Sequence, residues 1–356
     1  MSTQYRYTLP VETTEWKFDG NSEACFTWEY DDERDSLLKL YNKGKKQQWD
    51  AADRIDWSLD LDPENPMELD DRAIPLFGSH IWERMTERER RTMRHHTQAS
   101  SISQFMHGEQ GALIATAKIV QTVPHLDAKF YAATQVMDEA RHVEAYKRLL
   151  HEKFELAYPI THGLKSLLEQ GLSDGRWDMT YLTMQILIEG LALAAFQRIR
   201  DTAKNRLAAS VNAYVMQDEA RHVAFGRLAL KDYYAGISEA ERKEREEFVV
   251  EACWHMRDRF NQREVFERLG LPVQECIRIL DTSESMQMFR GRLFTRIAPT
   301  IKDINLFGPK VRQAFTQMGC IHLAEVDAEA MLANDQRVAE EYDVKARVAE
   351  VMPAAE

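Results

Sequence analysis

The chain has 356 residues, room for one large domain or two ordinary ones, and it is acidic, with a formal net charge of −12. No basic stripe breaks that balance, which argues against a nucleic-acid partner and against adsorption to an anionic membrane. Glycine (15) and proline (10) are sparse, and there is no GxGxxG, GxxxxGK(S/T) or GxSxG, so doubly wound nucleotide-binding and hydrolase folds have no support.

Residues 1–35 mix aromatic, Thr and acidic residues without a helical period and are expected to form an irregular arm. DSLLKLYNKGKKQQWD (35–50) is an amphipathic helix, and 62–79, with three prolines, is a surface loop. Thr86 with Glu89 is a capping box that opens a helix running to about Val123. Pro124 interrupts, and a second run covers about 126–156. A short helix (161–171) and a loop (173–178) lead to a third run over 178–200, a turn at 201–207, and a fourth run ending near Gly236. Ser238 with Glu241 opens a helix through about Arg268; 272–340 is further helix, and the charged tail is expected to fray. Long helices with short connections pack as an antiparallel bundle, so the expected fold is all-α. Its parts are a lead-in over 1–80, a bundle over 81–236 and accessory helices over 237–356, in one compact domain. The polar opening shows no secretory signal, and the longest apolar stretch (187–196) is interrupted by Glu189. The four cysteines (Cys25, Cys253, Cys276, Cys320) form no CxxC. These features point to a cytoplasmic protein with free thiols and no membrane span.

Residues 138–142 and 218–222 both spell Asp-Glu-Ala-Arg-His, 80 residues apart. Helix positions i and i+3 share a face, so Glu139 points with His142, and Glu219 with His222. Another Glu lies 30 residues before each, Glu109 and Glu189. The midpoints, Pro124 and Lys204, fall at the break and in the expected turn. Antiparallel arms of 15 residues, each ~22 Å long, therefore bring each pair of glutamates to one level. Two such hairpins packed face to face gather four carboxylates and two imidazoles at one depth.

Bare charges of that number do not share a dry core. Two divalent metal ions balance four carboxylates, and a Glu from each of two helices plus Glu-x-x-His from each of the other two is the ligand set of di-iron and di-manganese bundles. The expected ligands are Glu109, Glu139, His142, Glu189, Glu219 and His222. Asp138 and Asp218 are expected to hold the imidazole of the opposite half, with Arg141 and Arg221 neutralising them; exposed helical ion pairs are the alternative. By helical period, Phe105, Ala112, Leu113, Thr116 and Val120 share the face of Glu109, and Gln185, Ala192, Leu193 and Phe196 that of Glu189. Small residues near the metals suit a pocket for an organic substrate, with ordinary core packing as the alternative. The contrast of Thr116 with Phe196 places that pocket on the Thr116 side, and Gly226, matching Tyr146 in the repeat, leaves space beside the metals. Tyr146 is either a one-electron donor or a core aromatic.

On these residues the chain resembles the ferritin-like di-iron oxygenases and oxidases, among them the p-aminobenzoate N-oxygenases and the small subunit of class I ribonucleotide reductase. The doubled formula, Glu109 to His142 and Glu189 to His222, is similar to the N-oxygenase signature. LYNKGKKQQWDAADRIDWSLD (40–60) looks like the segment leading into the bundle in reductase-like members, and the resemblance covers 36–236. It implies a ferritin-like four-helix bundle holding two iron ions, with manganese–iron as the alternative pair, O2 as co-substrate and an external electron donor. There are departures. Val215 stands where N-oxygenases carry a further His, and Met184 where ligand-binding oxidases carry a cross-linking Tyr. Tyr146 falls where reductase small subunits carry the radical Tyr, whereas Glu109 stands where they often have Asp. The expected function is an O2-dependent oxygenase acting on a small, largely apolar organic molecule by hydroxylation or N-oxygenation. A reductase-like oxidase or radical protein using Tyr146 is the alternative. Iron storage is disfavoured, because the additions at 1–80 and 237–356 look like a pocket lid and a homodimer surface.

Overall fold

In the computed structural model, which describes residues 15–32 and 34–351, every regular element is a helix. The expected arm is described only from residue 15 on, and the last five residues of the tail lie outside the described part. The longer helices are α1 (Asp35–Lys46), α2 (Glu87–Thr122), α3 (Leu126–Arg148), α4 (His162–Ser173) and α5 (Trp177–Thr202). They are followed by α6 (Arg206–Gly236), α7 (Glu239–Asp258), α8 (Val273–Thr282), α9 (Glu284–Leu293) and α10 (Ala328–Val351).

Local chemistry sets the ends. The Thr86 hydroxyl accepts the Glu89 N–H while the Glu89 carboxylate accepts that of Thr86, and Ser238 and Glu241 repeat the exchange at α7. α2 stops at Thr122 because Pro124 drives Val123 out of the helical region, to ψ 135. The α5–α6 turn needs only 203–205, shorter than expected, since Asn205 accepts the N–H groups of Leu207 and Ala208 and starts α6 at once. α7 ends ten residues earlier than expected. Gln262, with φ 54, breaks the chain before a separate turn of helix at Arg263–Arg268.

α2 with α3 and α5 with α6 form two hairpins packed together; α1 lies across α3 and α6, and α10 runs along α6. α5 is long and apolar enough to cross a membrane (mean hydropathy 1.4), yet 89% of its most apolar stretch is buried inside the protein. It also carries a π-helical segment, Leu182–Ile188, immediately before Glu189, and a second follows α3 at Leu149–Phe154. Such segments widen the helix locally and often mark functional sites.

The buried apolar side chains form two clusters that part near one level of the bundle. Met106 and Ala112 of α2 belong to different clusters, as do Ala145 and Ala132 of α3, and Val223 and Phe225 of α6. The repeated carboxylates and histidines occupy this level. The bundle is two oil-filled halves joined across a polar layer.

Candidate metal centre

α2 and α5 each present one Glu to this layer, Glu109 and Glu189. α3 and α6 each present a Glu and a His, Glu139 with His142 and Glu219 with His222. All six are 5% exposed or less. Donor atoms of Glu109, Glu139, His142 and Glu219 lie within 4.8 Å of one another, and so do those of Glu139, Glu189 and His222. Glu139 is common to both groups, and Glu219 Oε1 lies 3.2 Å from Nδ1 of each imidazole. Several of these contacts have ion-pair distance without hydrogen-bond alignment: Glu139 Oε2, Glu189 Oε2, both Glu219 oxygens and His222 Nδ1 have no hydrogen-bond partner. Acceptors facing acceptors in a dry interior repel. Carboxylate oxygens and imidazole nitrogens converging on two adjacent positions are the donor set of two divalent cations, and the residues fit such a pair.

The electrostatics agree. Burial, then the neighbouring Glu219 charge, holds Glu109 and Glu189 well above the usual carboxylate range. Burial also pushes Glu139 up, but the two imidazoles outweigh it and hold that carboxyl below its usual range. Burial pushes both imidazoles down, yet the surrounding carboxylates raise them well above an ordinary histidine. Without metal, protons do the neutralising that cations do when bound.

A charged lattice backs the imidazoles. His142 Nε2 lies 3.1 Å from Asp218 Oδ2, and His222 Nε2 lies 3.2 Å from Asp138 Oδ2. Arg141 donates to both Asp138 (2.6 Å) and Asp218 (2.8 Å), while Arg221 pairs with Asp218. Each imidazole is thus braced by the opposite repeat, while Arg141 with Asp138 and Arg221 with Asp218 also brace each repeat from within. With Nε2–H directed at a carboxylate, Nδ1 is left facing the glutamates, which fixes the tautomer for metal binding. All four of these side chains are buried, which sets aside the alternative of exposed ion pairs.

Sequence reading missed two contributors. The chain just after α1 supplies Gln47 to Arg221 (2.8 Å), Gln48 to both Asp138 (2.7 Å) and Arg141 (2.7 Å), and the Trp49 indole N–H to Asp218 (2.8 Å). Gln135 donates to Glu139 (3.0 Å) and Glu189 (2.9 Å), tying α3 to α5. A signal existed: Tyr131, Gln135 and Glu139 share their spacing with Tyr181, Gln185 and Glu189.

A cavity of about 210 Å³ opens onto this layer. Its floor includes Glu109, Glu189 and Glu219, and its walls include Ala112, Ala192, Phe105 and Phe196. Residues 259–289 roof its outer end. This corrects several expectations. The cavity lies on the Phe196 side; Thr116 is buried in the core and Leu113 half-buried, and neither lines it. The reason is direction. α2 and α5 run antiparallel, so positions seven residues beyond each Glu point to opposite ends of the bundle, and only one end is left open. Gly226 leaves no space beside the metals, because a Cβ there would lie 2.5 Å from Cβ of Gln185, which packs against it. Val215 is buried in the core and lies off the cavity wall. Tyr146 is also off the wall, behind Phe105 and Phe196, with its hydroxyl donating to Asn212 Oδ1 (3.1 Å). Burial, then the charges of Glu109 and Glu219, pushes its phenol well above the ordinary range.

A family model described as p-aminobenzoate N-oxygenase AurF matches residues 30–305. Among solved structures, one variant of an R2-like ligand-binding oxidase with an anaerobically reconstituted Mn/Fe cofactor is 16% identical, covers 76% of this chain and 93% of its own, and has a TM-score of 0.50. A second variant with the same kind of cofactor is 17% identical at the same coverage, with a TM-score of 0.47. No curated protein matches the chain. Likeness at this identity speaks for the fold, while the family match covers most of the chain and both repeats. The chain therefore belongs to the p-aminobenzoate N-oxygenase family, oxidoreductases of the ferritin-like di-iron group.

Proposed function

We propose that Glu109, Glu139, His142, Glu189, Glu219 and His222 hold two iron ions, or a manganese–iron pair. On this reading the chain is an oxygenase that oxidises a small, largely apolar organic substrate by hydroxylation or N-oxygenation. The observation that carries it is the cavity, whose apolar walls end on three of the six candidate ligands. When bound, the metal pair supplies O2 binding and oxidising power. Glu139 and Glu219, each near both imidazoles, balance charge across the two positions. Asp138 and Asp218 keep Nε2–H engaged and so aim Nδ1 inward. Ala112 and Ala192 leave room for a substrate to approach the floor, while Phe105 and Phe196 exclude water from it. An external electron donor, a homodimeric assembly and a cytoplasmic setting belong to this reading.

The radical-protein alternative has less support, since the neutral amide of Asn212 is a poor acceptor for the proton Tyr146 would shed. Anaerobic Fe(II) loading with metal counting should give about two ions per chain. Admitting O2 should then consume it faster with aromatic or aliphatic amines and hydrocarbons present, and give oxygenated product. Metal uptake well below that level, or O2 consumption that leaves every organic molecule intact, would overturn the proposal. A tyrosyl EPR signal lost in Y146F would establish the alternative.

A further inference from the structure

The outer end of the cavity differs in chemistry from its floor. Arg198 and Arg259 line it together with Phe260 and Phe289. These four form one unit: Arg198 lies over Phe289 (5.1 Å to the ring centre), Arg259 over Phe260 (4.9 Å), and the two rings meet edge to face at 5.3 Å. The buried arginines Arg141, Arg221, Arg245 and Arg296 are each matched to a carboxylate, Arg141 and Arg221 to aspartates of the repeats, Arg245 to Asp178 (3.0 Å) and Arg296 to Asp335 (2.8 Å); Arg198 is exposed and Arg259 half-buried. Arg198 and Arg259 have no carboxylate within 4.0 Å among the described residues. Arg259 Nε has no hydrogen-bond partner. Glu264 also lines the cavity but does not reach either guanidinium at that distance.

The mouth of the cavity thus carries two ring-stacked cations without a carboxylate partner. Burial pushes Arg259 down to about 10, and burial with the nearby Arg292 charge lowers Arg198. The carboxylate-matched Arg141, Arg221 and Arg245 are pushed the other way. Stacking on a ring leaves the edge of each guanidinium free to donate, the geometry that takes an oxyanion through paired N–H groups. We infer that Arg198 and Arg259 form a subsite for the carboxylate or phosphate-ester group of an elongated amphipathic substrate, whose apolar end reaches the floor of the cavity.

Length follows from the helix. Arg198 lies nine residues beyond Glu189 on α5, a rise of about 13 Å. Because the arginine side chain reaches back along the helix, that rise is an upper limit on the length needed, and it favours an elongated molecule over a compact one. The subsite also sets polarity: the end remote from the anion lies at the metal layer. The site of oxidation therefore rests on the oxygenase reading, whereas the anion subsite does not.

The test uses full-length metal-free protein and three probes with one ten-carbon chain: decanoate, decyl phosphate and decanol. One or both anions should bind about tenfold or more tightly than decanol by calorimetry. R198Q and R259Q should erase most of that preference while leaving decanol binding unchanged, and R259K should retain part of it. R200Q, whose arginine pairs with Asp201 off the cavity, should behave like wild type. Thermal melts verify that each variant folds, and R198Q carries the test if R259Q does not. Which anion is preferred identifies the group. Equal binding of all three probes, no binding of any, or a preference that survives both substitutions overturns the subsite. Because no metal is present, failure here leaves the metal count of the oxygenase test untouched, and failure of that count leaves this preference intact.

Discussion

The two walls of the polar layer are built on opposite plans. The α3–α6 wall is densely braced: Asp138, Asp218, Arg141 and Arg221 interlock behind the imidazoles, and Gln47, Gln48 and Trp49 join the lattice from outside. The α2–α5 wall bears one Glu per helix, then alanines and a cavity. One wall spends its side chains on holding geometry, the other on leaving room. A site that must bind metal rigidly and still admit a substrate needs both, since rigid support and open access compete for the same volume.

Substitutions can break each wall separately. The largest effect is expected from Glu139→Ala, because Glu139 belongs to both donor groups. Metal content after anaerobic loading should fall below about one ion per chain, and a variant that still holds a full pair would remove Glu139 from the ligand set. Asp218→Asn comes next. It replaces a carboxylate that takes His142, Trp49 and two arginines, and metal affinity measured by chelator competition should drop about 10- to 100-fold. The pH dependence sharpens the same wall. Glu109, Glu189, His142 and His222 all have raised pKa values, so the metal-free site holds protons that loading must displace. Metal binding should release protons, and affinity should fall by about tenfold or more for each pH unit of acidification. Calorimetry in buffers of different ionisation enthalpy reads the release directly, and net proton uptake would contradict this sign. On the other wall, Ala192→Phe should leave the metal count unchanged and lower kcat/KM by about tenfold through filling the cavity.

How much of this was legible depends on the range of the interaction. That the six carboxylate and imidazole side chains meet follows from the helical period, a 30-residue offset and two turns at the midpoints, all local quantities. The cross-bracing of Asp138 to His222 and Asp218 to His142 could be reasoned from the repeat, because a pseudo-symmetric pair of hairpins offers each imidazole the other half's aspartate. Thr116 and Phe196 differ in surroundings because matched offsets on antiparallel helices point to opposite ends, and Gly226 opens no space because Gln185 of α5 packs against it. Gln47, Gln48 and Trp49 reach the layer from 90 to 174 residues away, a placement that no periodicity within α3 or α6 encodes.

An all-helical bundle and a layer of metal-binding character are legible in the residues alone, because periodicity, caps and repeat spacing act within one helix or one hairpin. Which end of the bundle stays open, what lines it and where Arg198 and Arg259 stand were settled by packing alone. Those features are volumes left between elements distant in the chain, and packing between distant elements leaves no periodic trace in the residues that line them.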